Sequence, residues 1–226
     1  MVLRRIPYGD ADLVVELFGE TVGRFTALAR SARKSQKRFG GTLEPFHTLR
    51  TSFEQRRGRD LASLREASIV TSRRTLISRL DAMQAAGRVL GWIRRACAPH
   101  TPEPRVWQLS EQMLNRLDAA SGQGDPRVTL GEAGLMLLDA LGWGLEFDRC
   151  VVCGKSCAPG RAGRVDAGRG GLVCQRCGGG QVLLDGRTRE RLRRAARGEW
   201  GALEAREVDA ALELVEAALL AHAGLG

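Results

Sequence analysis

Hydrophobic and polar positions alternate with a two-residue period over much of the first seventy residues, then switch to a helical period. Residues 12–18 are rich in β-branched and large apolar side chains, residues 19–23 supply a turn, and residues 24–30 form the hairpin partner. A polar, basic stretch follows over 31–41. The next strand is predicted over 45–55, where Phe46, Thr48, Arg50 and Ser52 alternate with His47, Leu49, Thr51 and Phe53. A turn over 56–60 leads to a last strand over 61–70. Four or five short strands with turn signals between them fit a small barrel or sandwich.

From Thr71 or Ser72, either of which can cap a helix, the period predicts one helix to about Arg95. Leu76, Leu80, Met83, Gly87 and Leu90 share its apolar stripe, and the six arginines of this segment lie largely off it. Pro99, Pro102 and Pro104 make residues 97–105 a loop. Further helices are predicted over 106–120, 130–143, 186–197 and 203–223. In the last, Val208, Ala211, Leu212, Val215, Ala218, Leu219 and His222 share a face.

Composition narrows this picture. The chain has 226 residues, 43% of them hydrophobic, enough for packed cores, and 5% aromatic, which favours small ones. No apolar run approaches the roughly 18–20 residues of a membrane span. Asp10, Asp12 and Glu16 interrupt any signal-peptide core. A cytoplasmic location is therefore expected, with the six cysteines as thiols or metal ligands rather than disulfides.

The net charge of +9 is unevenly spread. Residues 1–80 hold 16 basic and 8 acidic side chains, and residues 150–180 hold 5 and 1. The other two stretches, 81–149 and 181–226, are slightly acidic. Such asymmetry points to a polyanion, most simply nucleic acid. Arg30, Arg33, Lys34, Lys37 and Arg38 place five cations within nine residues, and Arg56, Arg57 and Arg59 add a second basic turn. These eight side chains are expected to follow a phosphate backbone without reading bases. Phe39 closes the first cluster as a core anchor.

Cys150-x-x-Cys153-Gly and Cys174-x-x-Cys177-Gly are separated by twenty residues. Two such pairs are a zinc signature, because each tight knuckle aims two sulfurs at one ion. Four thiolates leave no open position for water, so the expected zinc is structural. A redox reading is weaker, since two matched pairs would be coincidental and no βαβ context is apparent. Cys157 stands nearby as a replacement ligand or a free thiol. Between the pairs, five glycines with Arg161, Arg164 and Arg169 predict a flexible basic loop and a second DNA contact.

Catalytic motifs are lacking. Gly154-Lys155-Ser156 ends like a phosphate-binding loop, but Arg149 occupies the position of its first glycine. His47, His100 and His222 fall in no metalloenzyme pattern. Asp10 and Asp12 read as turn and strand-edge residues rather than a catalytic carboxylate pair. The expectation is a binding protein, not an enzyme.

The stretch Val-Leu-Arg-Arg-Ile-Pro-Tyr-Gly-Asp-Ala-Asp over 2–12, then Leu17-Phe18, Gly23-Arg24, the basic segment 29–39 and Arg59-Asp60-Leu61, resembles the start of the bacterial RecO family. So does Leu-Leu-Asp-Ala-Leu-Gly-Trp over 137–143 running into the first cysteine pair, with Gly170-Gly171 ahead of the second. The resemblance covers nearly the whole chain in order. It implies an α+β protein: an N-terminal oligonucleotide-binding (OB) β-barrel over 1–72, a helical domain over 73–149 and 181–226, and an inserted four-cysteine zinc module over 150–180. It further implies a recombination mediator of the RecFOR pathway that binds single- and double-stranded DNA and anneals complementary strands. Its partners would be RecR and the acidic C-terminal tail of the single-stranded-DNA-binding protein, with a functional link to RecA loading, in the cytoplasm at the nucleoid. On charge and zinc alone, an RNA-binding or ribosome-associated factor is the alternative. Ser31 stands where the family often carries glycine, so a stiffer basic turn is expected.

Overall fold

Strand alternation in the sequence becomes a five-stranded sheet in the computed structural model, which describes residues 1–35, 39–55, 61–119 and 124–224. Strands β1 (Val2–Tyr8), β2 (Asp12–Gly19) and β3 (Gly23–Ala29) form an antiparallel meander. Strands β4 (Thr48–Glu54) and β5 (Leu61–Thr71) form a second antiparallel pair. The order is β1–β2–β3–β5–β4, with β5 parallel to β3. A parallel neighbour needs a crossover connection, and residues 30–60 supply it. This five-stranded order is OB-like. The alternation did not mark β1, because every residue from Arg4 to Tyr8 is exposed.

Phe25, Ala27 and Ala29 of β3 point inward with Val15, Leu17, Ala62 and Leu64, and Phe39 and Leu43 of the crossover close the same core. Phe25 packs on Phe53 with ring centroids 4.5 Å apart. Phe18, on the other face of β2, meets Trp107 of α3 (Pro104–Ala119) at 6.0 Å. The proline loop lies along the β2–β3 hairpin: the His100 N–H donates to the Arg24 carbonyl at 2.8 Å, and Arg24 Nε donates to the Cys97 carbonyl at 3.0 Å. Gly23 permits that approach, since a Cβ there would sit 2.0 Å from the Thr101 oxygen.

The single helix predicted from 71 or 72 to 95 is instead two, α1 (Arg74–Ile77) and α2 (Leu80–Ala96). The chain remains in β5 through Thr71. Ser78 Oγ donates to the Thr75 carbonyl at 2.8 Å, and the Asp81 carboxylate accepts from the Ala82 N–H at 2.8 Å and from Arg79 at 3.0 Å. Such side-chain bonds compete with helix continuation. The restart also corrects the predicted stripe. Leu80 is 70% exposed and Gly87 is exposed, whereas Ala82, Ala85, Ala86, Val89, Trp92 and Ile93 are buried.

Arg73, between β5 and α1, is completely buried. Its Nε donates to Asn115 Oδ1 at 2.9 Å, Nη1 to the Phe46 carbonyl at 2.8 Å and Thr48 Oγ1 at 3.0 Å, and Nη2 to Glu111 Oε2 at 3.0 Å. Its backbone N–H donates to His47 Nδ1 at 3.1 Å. Burial, with the Arg73 charge second, holds the His47 pKa below its usual range. Asp118 takes the Leu76 N–H at 2.9 Å.

These elements, apart from the second half of α2, belong to one unit, Met1–Ala86 with Cys97–Ser121; the second comprises Gly87–Ala96 and Gly122–Gly226. In the second unit α4 (Pro126–Ala140) begins four residues earlier than predicted. Asp125 caps it by accepting from the Arg127 N–H at 2.8 Å, and Pro126 follows as the first helical residue. It is buried almost all round, against α5 (Gly186–Ala196) and α6 (Val208–Ala223). Residues 203–207 do not join the last helix; a tight turn over Ala205–Glu207, closed by a Glu204–Glu207 capping box, precedes it. His222 leaves the apolar face predicted for it, is exposed, and stacks on Trp143 at 5.6 Å.

The loop predicted between the cysteine pairs is instead a sheet. Strands β6 (Gly160–Asp166), β7 (Gly171–Leu172) and β8 (Val182–Asp185) pair in the order β7–β6–β8. Gly163 is a packing position within it: a Cβ there would lie 2.8 Å from the Leu172 side chain. Arg189 of α5, 1% exposed, donates to the carbonyls of Ala158 at 2.7 Å, Arg161 at 3.1 Å and Phe147.

Replacing Arg73 with methionine should leave Glu111, Asn115 and the Phe46 carbonyl without their donor. A loss of about 3–5 kcal/mol in urea unfolding is expected. A loss within experimental error would show that the network is dispensable.

Candidate metal centre and nucleic-acid interface

The cysteines come together as their spacing predicts. The ligating sulfurs of Cys150, Cys153, Cys174 and Cys177 all lie within 4.8 Å of one another. Tetrahedral zinc with bonds of about 2.3 Å needs sulfurs about 3.8 Å apart, and Cys153 and Cys174 are separated by 3.7 Å. Each pair sits in a tight turn: the Gly154 N–H donates to the Cys150 carbonyl at 2.9 Å, and the Gly179 N–H to the Cys174 carbonyl at 3.1 Å. Gly154 and Gly178 take left-handed backbone angles of φ 71° and 100°, the freedom expected of a glycine after each pair.

The sulfur environment favours a cation. The Cys174 N–H donates to Cys150 Sγ at 3.3 Å, and this bond, with others from the first knuckle, pulls the Cys150 thiol down to about 6. Hydrogen bonds from Cys174, Cys153 and Cys150, in a crowd of sulfurs, push Cys177 up to about 12. Four thiolates this close repel one another unless a cation sits among them. The group therefore fits a divalent ion with four thiolate ligands. Cys157 is outside it, its Sγ 3.9 Å from the Ala162 carbonyl. Cys97 is buried, which raises its thiol to about 11.

Arg30, Arg33 and Lys34 are exposed at the start of the β3 crossover. Lys37, Arg38, Arg56, Arg57 and Arg59 lie outside the described residues. The turn is fixed at its root: the Ser31 N–H donates to Asp12 Oδ1 at 2.7 Å, and Ser31 itself adopts φ 56°. Asp12, the first residue of β2, thus holds the turn from the strand edge, and Ser31 takes a left-handed backbone angle that glycine would adopt at less cost. Arg33 Nη1 reaches the carbonyls of Gly9 and Asp10 at 3.5 and 3.4 Å rather than a carboxylate. Phe39, 3% exposed, anchors the segment and is not free to stack on a base. A cavity of about 590 Å³ lies beside it, lined by Arg5, Leu13, Arg33, Phe39 and Glu44 among others. Arg5, which the sequence did not single out, is held there by Glu44 at 2.5 Å.

Pairing separates the arginine-rich segments. On α5 and beside it, Arg187 and Arg191 face Glu204, Arg193 faces Glu190 and Asp148, Arg194 faces Glu199, and Arg197 faces Asp148. These cations are committed within the fold. Lys155, Arg161, Arg164 and Arg176 on the cysteine module are exposed, and among the described residues none makes an ion pair.

Comparison with known proteins matches the chain on both sides. The family model "Recombination protein O N terminal" matches residues 1–73 and "Recombination protein O C terminal" residues 78–226. The DNA repair protein RecO of Anaeromyxobacter sp. (strain K) is 36% identical over 181 residues, covering 80% of this chain and 69% of the relative. That of Myxococcus xanthus is 34% identical over 183 residues, 79% and 70% of the two chains. That of Geobacter sulfurreducens is 34% identical over 204 residues, 90% and 82%.

The geometry makes a prediction about ligand identity. Serine at Cys150, Cys153, Cys174 or Cys177 should each lower the metal content of the purified chain, while Cys157→Ser should leave it unchanged. Elemental analysis of the five variants checks this, and loss of metal with Cys157→Ser would redraw the ligand set.

Proposed function

Because this chain belongs to the recombination protein O family, we propose that it serves DNA repair as a recombination mediator of the RecFOR pathway, without catalytic chemistry of its own. It binds single- and double-stranded DNA, anneals complementary strands and, with RecR, helps RecA load onto single strands coated by the single-stranded-DNA-binding protein. The family match over both halves of the chain carries this reading. The same match favours DNA over the RNA-binding alternative.

In this reading the barrel is the main DNA surface. Arg30, Arg33, Lys34, Lys37, Arg38, Arg56, Arg57 and Arg59 neutralise phosphates and release counterions, which gives affinity without sequence preference. The support is the exposed position of Arg30, Arg33 and Lys34 on the crossover of an OB-like sheet. Zinc held by Cys150, Cys153, Cys174 and Cys177 is structural, closing the module without activating water. The acidic tail of the binding protein docks on the helical unit, where arginine can pair its carboxylates. No helix among the described residues is long and apolar enough to cross a membrane; the place of work is the cytoplasm, at the nucleoid.

RecA filament growth on coated single strands should be faster with this chain and RecR than with either omitted; no acceleration would remove the mediator reading. Changing Arg33, Lys34, Lys37 and Arg38 to alanine should weaken duplex binding. It should also flatten the log affinity against log salt slope by about 0.9 for each lost phosphate contact. An unchanged slope would take the basic turn out of the site.

A further inference from the structure

We propose that the cysteine module carries a phosphate-binding cleft of its own, formed by Lys155, Arg161, Arg164 and Arg176, which takes the backbone of single-stranded DNA. This rests on the reading that the chain binds DNA, and it adds a site in the second unit that works with or without the basic turn of the barrel.

The four cations line one cleft of about 350 Å³. They come from three segments: Lys155 follows the first cysteine knuckle, Arg161 and Arg164 lie on β6, and Arg176 lies in the turn Gln175–Cys177 between the second pair. No acidic residue lines the cleft. Arg164 Nη1 donates to the Gly180 carbonyl at 3.2 Å, which fixes the guanidinium while leaving its charge uncompensated.

Charge compensation of the four-sulfur group does not account for all four cations. Four thiolates with one divalent ion would carry a net charge of about −2, which nearby cations help to offset. Two cations suffice for that, and the cleft has four. Elsewhere in the same unit the fold pairs its arginines with carboxylates, as on α5. Exposed cations left without carboxylates, converging from three segments, are what a repeating anion requires.

The occupant follows from the shape and chemistry of the lining. Four long side chains spread over the cleft suit regularly spaced phosphates better than the clustered carboxylates and single apolar anchor of an acidic peptide. Leu172 and Val173 form a buried floor, and Leu183, 62% exposed, stands at the edge as a surface for a sugar or base face. A cleft of this volume admits one strand and not a duplex.

The test uses the full chain and a fluorescent thymidine oligonucleotide, with anisotropy measured across a salt series. The variant Lys155→Gln, Arg161→Gln, Arg164→Gln, Arg176→Gln should flatten the log–log salt slope by up to about 3, at about 0.7 per single-strand phosphate contact, with metal content unchanged. If this variant loses metal, Lys155→Gln with Arg176→Gln should retain it and flatten the slope by about half as much. A parental slope with metal retained overturns the cleft. A parental slope together with lost binding of a labelled acidic peptide overturns it in favour of a peptide site. The barrel variant Arg33→Ala, Lys34→Ala, Lys37→Ala, Arg38→Ala separates the two readings. If it alone flattens the slope, the cleft falls and the DNA-binding function stands; if the parent binds no oligonucleotide, both fall.

Discussion

A buried guanidinium holds the first unit together. Arg73 has no exposed surface, and a charge in that position is tolerated only when its donors are met with good geometry. Here they are met by the side chains of Thr48, Glu111 and Asn115 and the carbonyl of Phe46, so the start of β4, the end of β5 and helix α3 are fixed to one point. In a chain with only 5% aromatic residues, directional polar bonds add geometric definition to aliphatic packing. The second unit repeats the device. Arg189 ties the carbonyls of Phe147, Ala158 and Arg161, so α5, the approach to the first cysteine knuckle and β6 share one anchor.

Arginine therefore does three different jobs in this chain, and only its surroundings tell them apart. Arg73 and Arg189 are interior fasteners. The arginines of α5 are tied to Glu204, Glu190, Glu199 and Asp148 on the surface, where exposed pairs contribute little stability but leave little net field. Others are exposed and make no ion pair among the described residues, including Arg33 and Lys34 at the start of the barrel crossover and Lys155, Arg161, Arg164 and Arg176 on the cysteine module. Those are the two stretches that carry the excess positive charge in the sequence. The field that a polyanion would meet is set by which cations stay unpaired, more than by how many there are.

This distinction explains what could be read from the sequence. The strands with one buried face, β2 to β5, announce themselves by alternation, and the cysteine spacing announces the four-sulfur group. β1 is exposed over five of its seven residues, so no alternation marks it. The break at Ser78–Arg79 was hidden because side-chain bonds from Ser78 and Asp81 decide it, while the surrounding residues all tolerate helix. Glycines 160–171 read as a loop because glycine favours loops, yet at Gly163 it makes room for Leu172 in a sheet. Of the expected DNA-contacting cations, Arg30, Arg33 and Lys34 are placed on the barrel crossover. The grouping of Lys155 with Arg176 needs the fold, since twenty residues and two strands, β6 and β7, separate them in the chain.

The cysteine module ties stability to surface chemistry. Its buried core is only Cys150, Leu172 and Val173, and two of its three strands are four residues or shorter. So little apolar area cannot order a segment of this length by itself. A four-thiolate metal site contributes about 10–16 kcal/mol in small peptides, and an ion held by these four sulfurs would supply what the core lacks. The consequence reaches the surface because Lys155 and Arg176 lie within two residues of ligands in the two knuckles. Their spacing is set by the same turns that aim the sulfurs. Cations held in place before an anion arrives lose less entropy on binding than cations on a mobile loop. A closed four-thiolate site with no chemistry of its own would therefore suit the phosphate-binding cleft proposed above it, because it would fix the spacing of those cations without competing for the anion.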